Sequence, residues 1–150
     1  MAHTSHSSEL GNAIFNLIEA NKISLGLADV FFGEQKMLPR SPAAVVDLGR
    51  KRRELAGVSA PGGRTMNNMD IIIDVHSAKV AEEALARMEL NLLAEAVEDL
   101  LHVDTTMGGI IIHGFVRDWD PGEAFINNSM FRTVRMMYTG QTKTYLSPMP

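Results

Sequence analysis

Three polar residues two and four positions apart are the first candidates for chemistry in this sequence. Asp70, Asp74 and His76 belong to a stretch with strand-like alternation, and alternate side chains of a strand point to the same face. Two carboxylates and an imidazole could hold a metal ion. The sequence has no cysteine and no second cluster that would complete a coordination shell. We therefore interpret the three residues as the solvent-facing side of an amphipathic strand, and we expect neither a metal nor a cofactor.

Other catalytic candidates are isolated. Asp118 and Asp120 follow His113 closely, a combination that could serve hydrolysis. No nucleophile motif and no phosphate-binding glycine loop accompanies them. His113 has apolar neighbours, so we interpret it as a core or sheet-face residue. We predict that the protein is not an enzyme.

A basic segment is the third chemical feature. Arg50, Lys51, Arg52 and Arg53 follow an apolar stretch, and such a run could bind phosphate groups. Glu54 interrupts the charge and no aromatic residue is interleaved, so we interpret the segment as a solvated strand edge or hairpin. The net charge of −4 does not favour a general polyanion binder.

The element that positions the first three residues is a strand leading into a long helix. Residues 69–76 alternate between apolar and polar, and apolar residues recur with helical period over residues 78–102, with Ser77 as the expected N-cap. At about 1.5 Å per residue the helix would be roughly 37 Å long, enough to cross a small sheet. The predicted apolar stripe of this helix comprises Ala81, Ala84, Leu85, Met88, Leu92, Leu93, Ala96, Val97, Leu100 and Leu101.

The remaining pattern predicts one more helix and several strands. A helix is expected over residues 10–18, after a flexible N-terminal tail of residues 1–8. A turn at residues 119–123, which contains Pro121-Gly122, should join the last two strands as an antiparallel hairpin. The predicted strands, apart from the one already described, are residues 30–32, 43–48, 110–116 and 130–138.

These elements predict a single domain over residues 1–150. The fold class is α+β, with a mostly antiparallel sheet, one long helix packed across it and a short N-terminal helix. No apolar run approaches the length of a membrane span, so we expect no membrane partner.

The order of elements resembles a known family. The resemblance is clearest in residues 42–57 (PAAVVDLGRKRRELAG) followed by residues 64–76 (RTMNNMDIIIDVH). With the N-terminal helix, the long amphipathic helix and the closing strands, the sequence resembles the tail terminator (tail-completion) proteins of tailed bacteriophages over about residues 10–146. The motifs that carry the resemblance are topological and compositional, not catalytic.

The resemblance implies a structural virion protein without an active site. Such proteins form a ring, usually a hexamer, that caps the head-proximal end of the tail tube, ends tube polymerisation and joins the tail to the head connector. The implied partners are further copies of the chain, the tail tube protein, the head–tail connector or stopper protein and, in a contractile tail, the sheath protein. Genomic DNA would pass through the lumen without sequence-specific binding. The implied location is the virion neck, after assembly in the host cytoplasm.

Charged segments and loops rich in glycine and proline are expected at the subunit contacts, because rings are built from protruding surfaces that meet receiving ones. The loop of residues 59–64 belongs to this group. The candidate contact residues are Arg50, Lys51, Arg52, Arg53, Arg64, Trp119, Asp120 and Glu123.

Three alternatives stay open. A head-completion or stopper protein would share the ring symmetry, although the long helix argues against the small β-barrel that such proteins resemble. A small α/β enzyme would bring His76 or His113 against carboxylates in a concave site. A nucleic-acid-binding module using the basic segment would lose affinity steeply with salt.

Overall fold

The computed structural model describes residues 6–57, 64–78 and 83–145. Its helix α1 includes residues 6–8 of the predicted N-terminal tail, and residues 1–5 lie outside the described part. Across the described residues, no helix is long and apolar enough to cross a membrane. The elements in chain order are α1 (His6–Ala20), α2 (Lys22–Leu25), β1 (Asp29–Phe32), β2 (Ala43–Gly57), β3 (Arg64–Ser77), α3 (Glu83–Leu101), β4 (His113–Ile126) and β5 (Ser129–Tyr145).

The strands of the described residues form one five-stranded sheet in the order β1-β2-β3-β5-β4. β1 pairs with β2 in parallel, and every other neighbouring pair is antiparallel. On one face of the sheet, α1 packs over β1, β2 and β3, while α3 packs over β3, β4 and β5. The predicted α+β class, with a mostly antiparallel sheet, a long helix across it and a short N-terminal helix, is confirmed.

The hydrophobic core lies between the two helices and this face of the sheet. Met69, Ile71, Ile73 and Val75 of β3 have no exposed surface, because β3 is the central strand and these alternate side chains point towards the helices. Full burial of one such side chain contributes about 1.5–3 kcal/mol. The predicted alternation of β3 therefore supplies the centre of the core.

Helix α3 turns a different side to the sheet from the one predicted. Only the last two of its buried residues belong to the predicted stripe, whereas Leu85, Met88 and Leu92 are 45%, 62% and 66% exposed. The helix carries apolar residues on two sides, and the side with alanines at two contact positions lets its backbone approach the sheet closely. The buried residues of α3 are Ala86, Leu90, Ala94, Val97 and Leu101.

The start of α3 also differs from the prediction. Ser77, the predicted N-cap, is the last residue of β3. The predicted first turn falls on residues 79–82, which lie outside the described residues. From Glu83 to Leu101 the helix has 19 residues, so its described part is about 28 Å long at 1.5 Å per residue.

The predicted strand at residues 110–116 is too long at its N-terminal side. Met107, Gly108 and Gly109 all have positive φ angles, of 47°, 69° and 88°. Three consecutive left-handed residues turn the chain sharply, so β4 begins only at His113 and Ile111 enters the core from the turn. Phe115 of β4 is 43% exposed.

The predicted turn at Pro121-Gly122 is wrong. Both residues lie within β4, opposite Val134 and Thr133 of β5. The hairpin instead turns at residues 127–128, two asparagines with φ angles of 52° and 63°, and such a pair is typical of a type I′ turn. β4 is an edge strand with a bulge between Val116 and Asp118, and an edge strand tolerates a proline.

Candidate functional site

The sheet face opposite the helices carries cross-strand polar pairs. Asp74 of β3 lies directly opposite Arg135 of β5, whose Nε and Nη2 donate to the two carboxylate oxygens at 2.8 and 3.0 Å. This contact raises the pKa of Arg135, first through the hydrogen bonds and then through the negative charge of Asp74. Thr139 Oγ1 donates to Asp70 Oδ1 at 2.8 Å. The two carboxylates are therefore occupied by partners on β5.

His76 completes the row. Its Nδ1 lies 2.7 Å from Thr133 Oγ1, and its ring packs edge-on against Phe131 at 6.2 Å between centroids. Burial lowers the pKa of His76, while the nearby Asp74 partly opposes that shift. Burial disfavours the charged imidazolium, so the environment favours the neutral form of His76.

The interpretation of the first three candidates as solvent-facing is wrong for two of them. Asp70 and His76 are each only 5% exposed, because β2 and β5 flank β3 and supply neighbours on this face. Among the described residues no group of three or more histidine, aspartate or glutamate side chains could hold a metal ion. What the arrangement can do is hold strands in register through paired charges and hydrogen bonds.

A cleft of about 530 Å³ opens over this polar face. Val45, Asp47 and Ile72 line its floor beside the Asp74–Arg135 ion pair. The end of the β4–β5 hairpin forms one wall, including Phe125, which is 75% exposed. Of the carboxylates on the floor, Asp74 is paired with Arg135, and Asp47 Oδ1 accepts a hydrogen bond from the backbone N–H of Leu48.

Three of the predicted contact residues lie in a strand and not on the turn where they were expected. Trp119, Asp120 and Glu123 were expected on a protruding turn, but all three lie within β4. Trp119 is half-buried against the core. Asp120 and Glu123 line a second cleft of about 270 Å³, which lies on the polar sheet face opposite the helices, as the first cleft does. Asp120 lies opposite Arg135 in the strand register. Pro121 was interpreted as part of a turn, but a proline also occurs in edge strands.

The basic segment, residues 50–53, is an exposed strand edge as predicted. β1 pairs only with residues 43–46 of β2, so the outer side of β2 beyond that point has no neighbouring strand within the described residues. Arg52 Nη2 lies 3.8 Å from Asp70 Oδ1, and Arg53 Nε donates to Asn67 Oδ1 at 2.9 Å. All four side chains of the segment are exposed, and they are Arg50, Lys51, Arg52 and Arg53.

The loop of residues 59–64 is the remaining predicted contact. Residues 58–63 lie outside the described residues. The backbone of Arg64 begins β3, opposite Gly57 of β2 and Tyr145 of β5. The prediction for Arg64 stays a prediction.

One exposed surface was missed by the reasoning from sequence. Leu85, Met88 and Leu92 form a row on the outer side of α3, at the spacing of three and four residues that places side chains on one face of a helix. The same spacing was read as the buried side. The sequence does carry a signal for this surface. A helix that packs on one side needs a single apolar row, so a second row indicates a second contact surface.

No protein-family model matches the sequence, and none of the curated proteins with which it was compared matches it. Among solved structures, the fold is similar to that of a chain in the virion of a native gene transfer agent (GTA) particle. The superposition covers 90% of this chain and 95% of that chain, with a TM-score of 0.54 and a sequence identity of 14%. At that identity the similarity establishes a shared fold.

Proposed function

We propose that this protein is a structural component of a tailed virion or a virion-like particle, and that it acts as a tail terminator. In this role, copies of the chain close into a ring, a hexamer in the form we favour, at the head-proximal end of the tail tube. The ring ends polymerisation of the tube protein and joins the tail to the head connector. The observation that carries the proposal is the fold shared with a virion chain over nearly the full length of both.

The described surfaces support a role in assembly over a role in catalysis. The buried polar groups of the open sheet face are paired with one another, so they satisfy the requirement that buried polar groups have partners. The exposed features are a basic strand edge and an apolar helix side, which are features of protein–protein contacts. We therefore propose a protein that is not an enzyme and that requires no cofactor.

The proposed partners follow from the position of the ring. They are further copies of the chain, the tail tube protein on one side and the head–tail connector or stopper protein on the other, with the sheath protein added in a contractile tail. Genomic DNA passes through the lumen without sequence-specific contacts. The protein then resides in the virion neck after assembly in the host cytoplasm.

The test is binding to purified tail tubes in the absence of heads. Tubes assembled from the tube protein of the same particle are mixed with this protein and examined by negative-stain electron microscopy. The expected result is a ring at one end of each tube and a halt in tube growth when fresh tube protein is added. A matched control with tubes sheared at both ends should show rings at one end only.

Two other outcomes would overturn the assignment. Binding to DNA-filled heads and not to tubes would favour a head-completion or stopper protein. Binding along the tube wall, with no effect on elongation, would favour a sheath-like or decorating component. Either result would retain a structural role but reject tail termination.

A further inference from the structure

The outer side of α3 has the geometry of a docking surface. At about 100° per residue, the row formed by Leu85, Met88 and Leu92 lies roughly 170° from the centre of the buried side of the helix. The row therefore points directly away from the sheet, and no described element covers it, as its 45–66% exposure shows. Exposed apolar rows of this kind mark contact sites when they are rimmed by polar residues.

The rim of this surface is acidic. Glu95 and Asp99 lie one and two turns after Leu92, are exposed, and fall on the same side of the helix as the apolar row. Neither carboxylate forms an ion pair with the side chains described for residues 6–53, 66–78 and 83–142. We call the five residues Leu85, Met88, Leu92, Glu95 and Asp99 the α3 outer surface.

The charge that complements this rim lies elsewhere on the same molecule. Arg50 and Lys51 of the basic segment are exposed, and neither forms an ion pair with the acidic side chains described for residues 6–53, 66–78 and 83–142. Leu48, two residues before the segment, is 37% exposed. The basic segment thus presents cationic groups beside an apolar side chain, as the α3 outer surface presents anionic groups beside an apolar row.

The two surfaces cannot meet within one copy. α3 packs on β3, β4 and β5 with its buried side, so its outer surface faces away from the sheet to which the basic segment of β2 belongs. A contact between them must join two copies. Because the two surfaces differ, the contact is heterologous, and a heterologous contact repeats around a ring if the rotation closes.

We infer that the α3 outer surface of each copy receives the basic segment of the next copy, so that the two form the subunit interface of the ring. This inference rests on the proposed self-assembly of the chain. Charge complementarity carries it: Glu95 and Asp99 face Arg50 and Lys51 of the neighbour, while Leu85, Met88 and Leu92 cover Leu48. The association therefore weakens as salt screens the rim charges.

Charge reversal on each surface tests the pairing. One variant carries Glu95→Lys and Asp99→Lys, and the other carries Arg50→Glu and Lys51→Glu. Each variant alone places like charges at the interface, so its assembly, measured by native mass spectrometry and light scattering, should fall by at least tenfold in apparent affinity. Mixed together, the two variants have complementary charges at both contacts of an alternating ring, and assembly should return with equal numbers of each variant.

A matched control carries Glu9→Lys and Glu98→Lys. It changes the net charge by the same amount as the first variant, and neither residue lies on the α3 outer surface. This control should assemble like the wild type. Thermal unfolding of every variant shows that it is folded, so loss of assembly in a folded variant reports the interface.

Cysteine cross-linking gives a second measurement, since the sequence has no cysteine. A chain with Lys51→Cys and Leu92→Cys should form a disulfide ladder on oxidation that ends at the ring size. The two single variants, when mixed, should give cross-linked pairs only. A ladder in the single Leu92→Cys variant cannot form, but abundant dimers of that variant alone would indicate a symmetric helix–helix contact and overturn the inference.

The outcomes separate the inference from the proposed function. If the wild type forms a ring and caps tubes while both reversed variants assemble normally, the interface is wrong and the tail-terminator role stands. If both reversed variants fail, mixing restores the assembly and tubes are still not capped, the interface stands and the tail-terminator role fails. A wild type that remains a single copy at all concentrations, with and without tubes, overturns both.

Discussion

The side of α3 that faces the sheet can be tested with two leucines two residues apart. Leu90 is 5% exposed and belongs to the hydrophobic core, whereas Leu92 is 66% exposed. Truncation of a buried leucine to alanine removes apolar contacts and leaves a cavity, at a cost of about 2–5 kcal/mol in the free energy of unfolding. Truncation of an exposed leucine changes it by about 0.5 kcal/mol or less.

Leu90→Ala should therefore lower the melting temperature by about 4–20 °C, at roughly 2–4 °C per kcal/mol for a chain of this size. Leu92→Ala should leave it nearly unchanged. The assays are thermal unfolding for the melting temperature and urea unfolding for the free energy, both followed by circular dichroism at a protein concentration low enough to exclude association. Leu90→Met, which conserves volume, is the control and should cost less than about 1.5 kcal/mol. If Leu92→Ala is as destabilising as Leu90→Ala, the orientation of α3 described above is refuted.

Three further predictions concern the sheet. Gly114→Ala should destabilise the protein by about 1–3 kcal/mol through overpacking, because its new methyl group would meet the hydroxyl of Tyr138; in a double-mutant cycle, Tyr138→Phe should recover part of that loss, and equal losses in both backgrounds would contradict the reasoning. Burial lowers the pKa of His76, so the unfolded chain binds a proton at this group before the folded chain does as the pH falls. The stability that His76 contributes is complete above pH 6.5 and is lost below it at up to about 1.4 kcal/mol per pH unit. The free energy of unfolding of His76→Gln should therefore depend less on pH between 7 and 5 than that of the wild type, and an unchanged slope would exclude this group. Thr139→Val should cost about 1–3 kcal/mol in urea unfolding because it leaves Asp70 without its hydroxyl donor, whereas Thr139→Ser should retain most of the stability; equal effects of the two would contradict a hydrogen-bond origin.

The sequence predicted the elements whose patterns have a single interpretation. β3 alternates cleanly between apolar and polar residues, so its buried face was predictable. The same pattern could not tell that Asp70 and His76 are buried, because their cover comes from β2 and β5, which are distant in sequence. Polar residues on a central strand find partners that only the strand order reveals.

Two errors came from signals with more than one physical meaning. Pro121-Gly122 resembles a turn, but a proline also fits an edge strand, where one side of the backbone has no neighbour. The asparagine pair at residues 127–128 was the correct turn signal, since asparagine tolerates positive φ. On α3, two apolar rows satisfied the helical period, and the choice between them depends on the shape of the sheet beneath.

The edge strands of the sheet limit pairing of β-strands between copies of this protein. β1 offers only four residues, the outer side of β2 carries the basic segment, and β4 has a bulge and a residue that lacks an amide hydrogen, Pro121. None of these is a good template for a sixth strand from another molecule. At high concentration these edges disfavour irreversible cross-β aggregation. Association of the folded copies can therefore remain reversible.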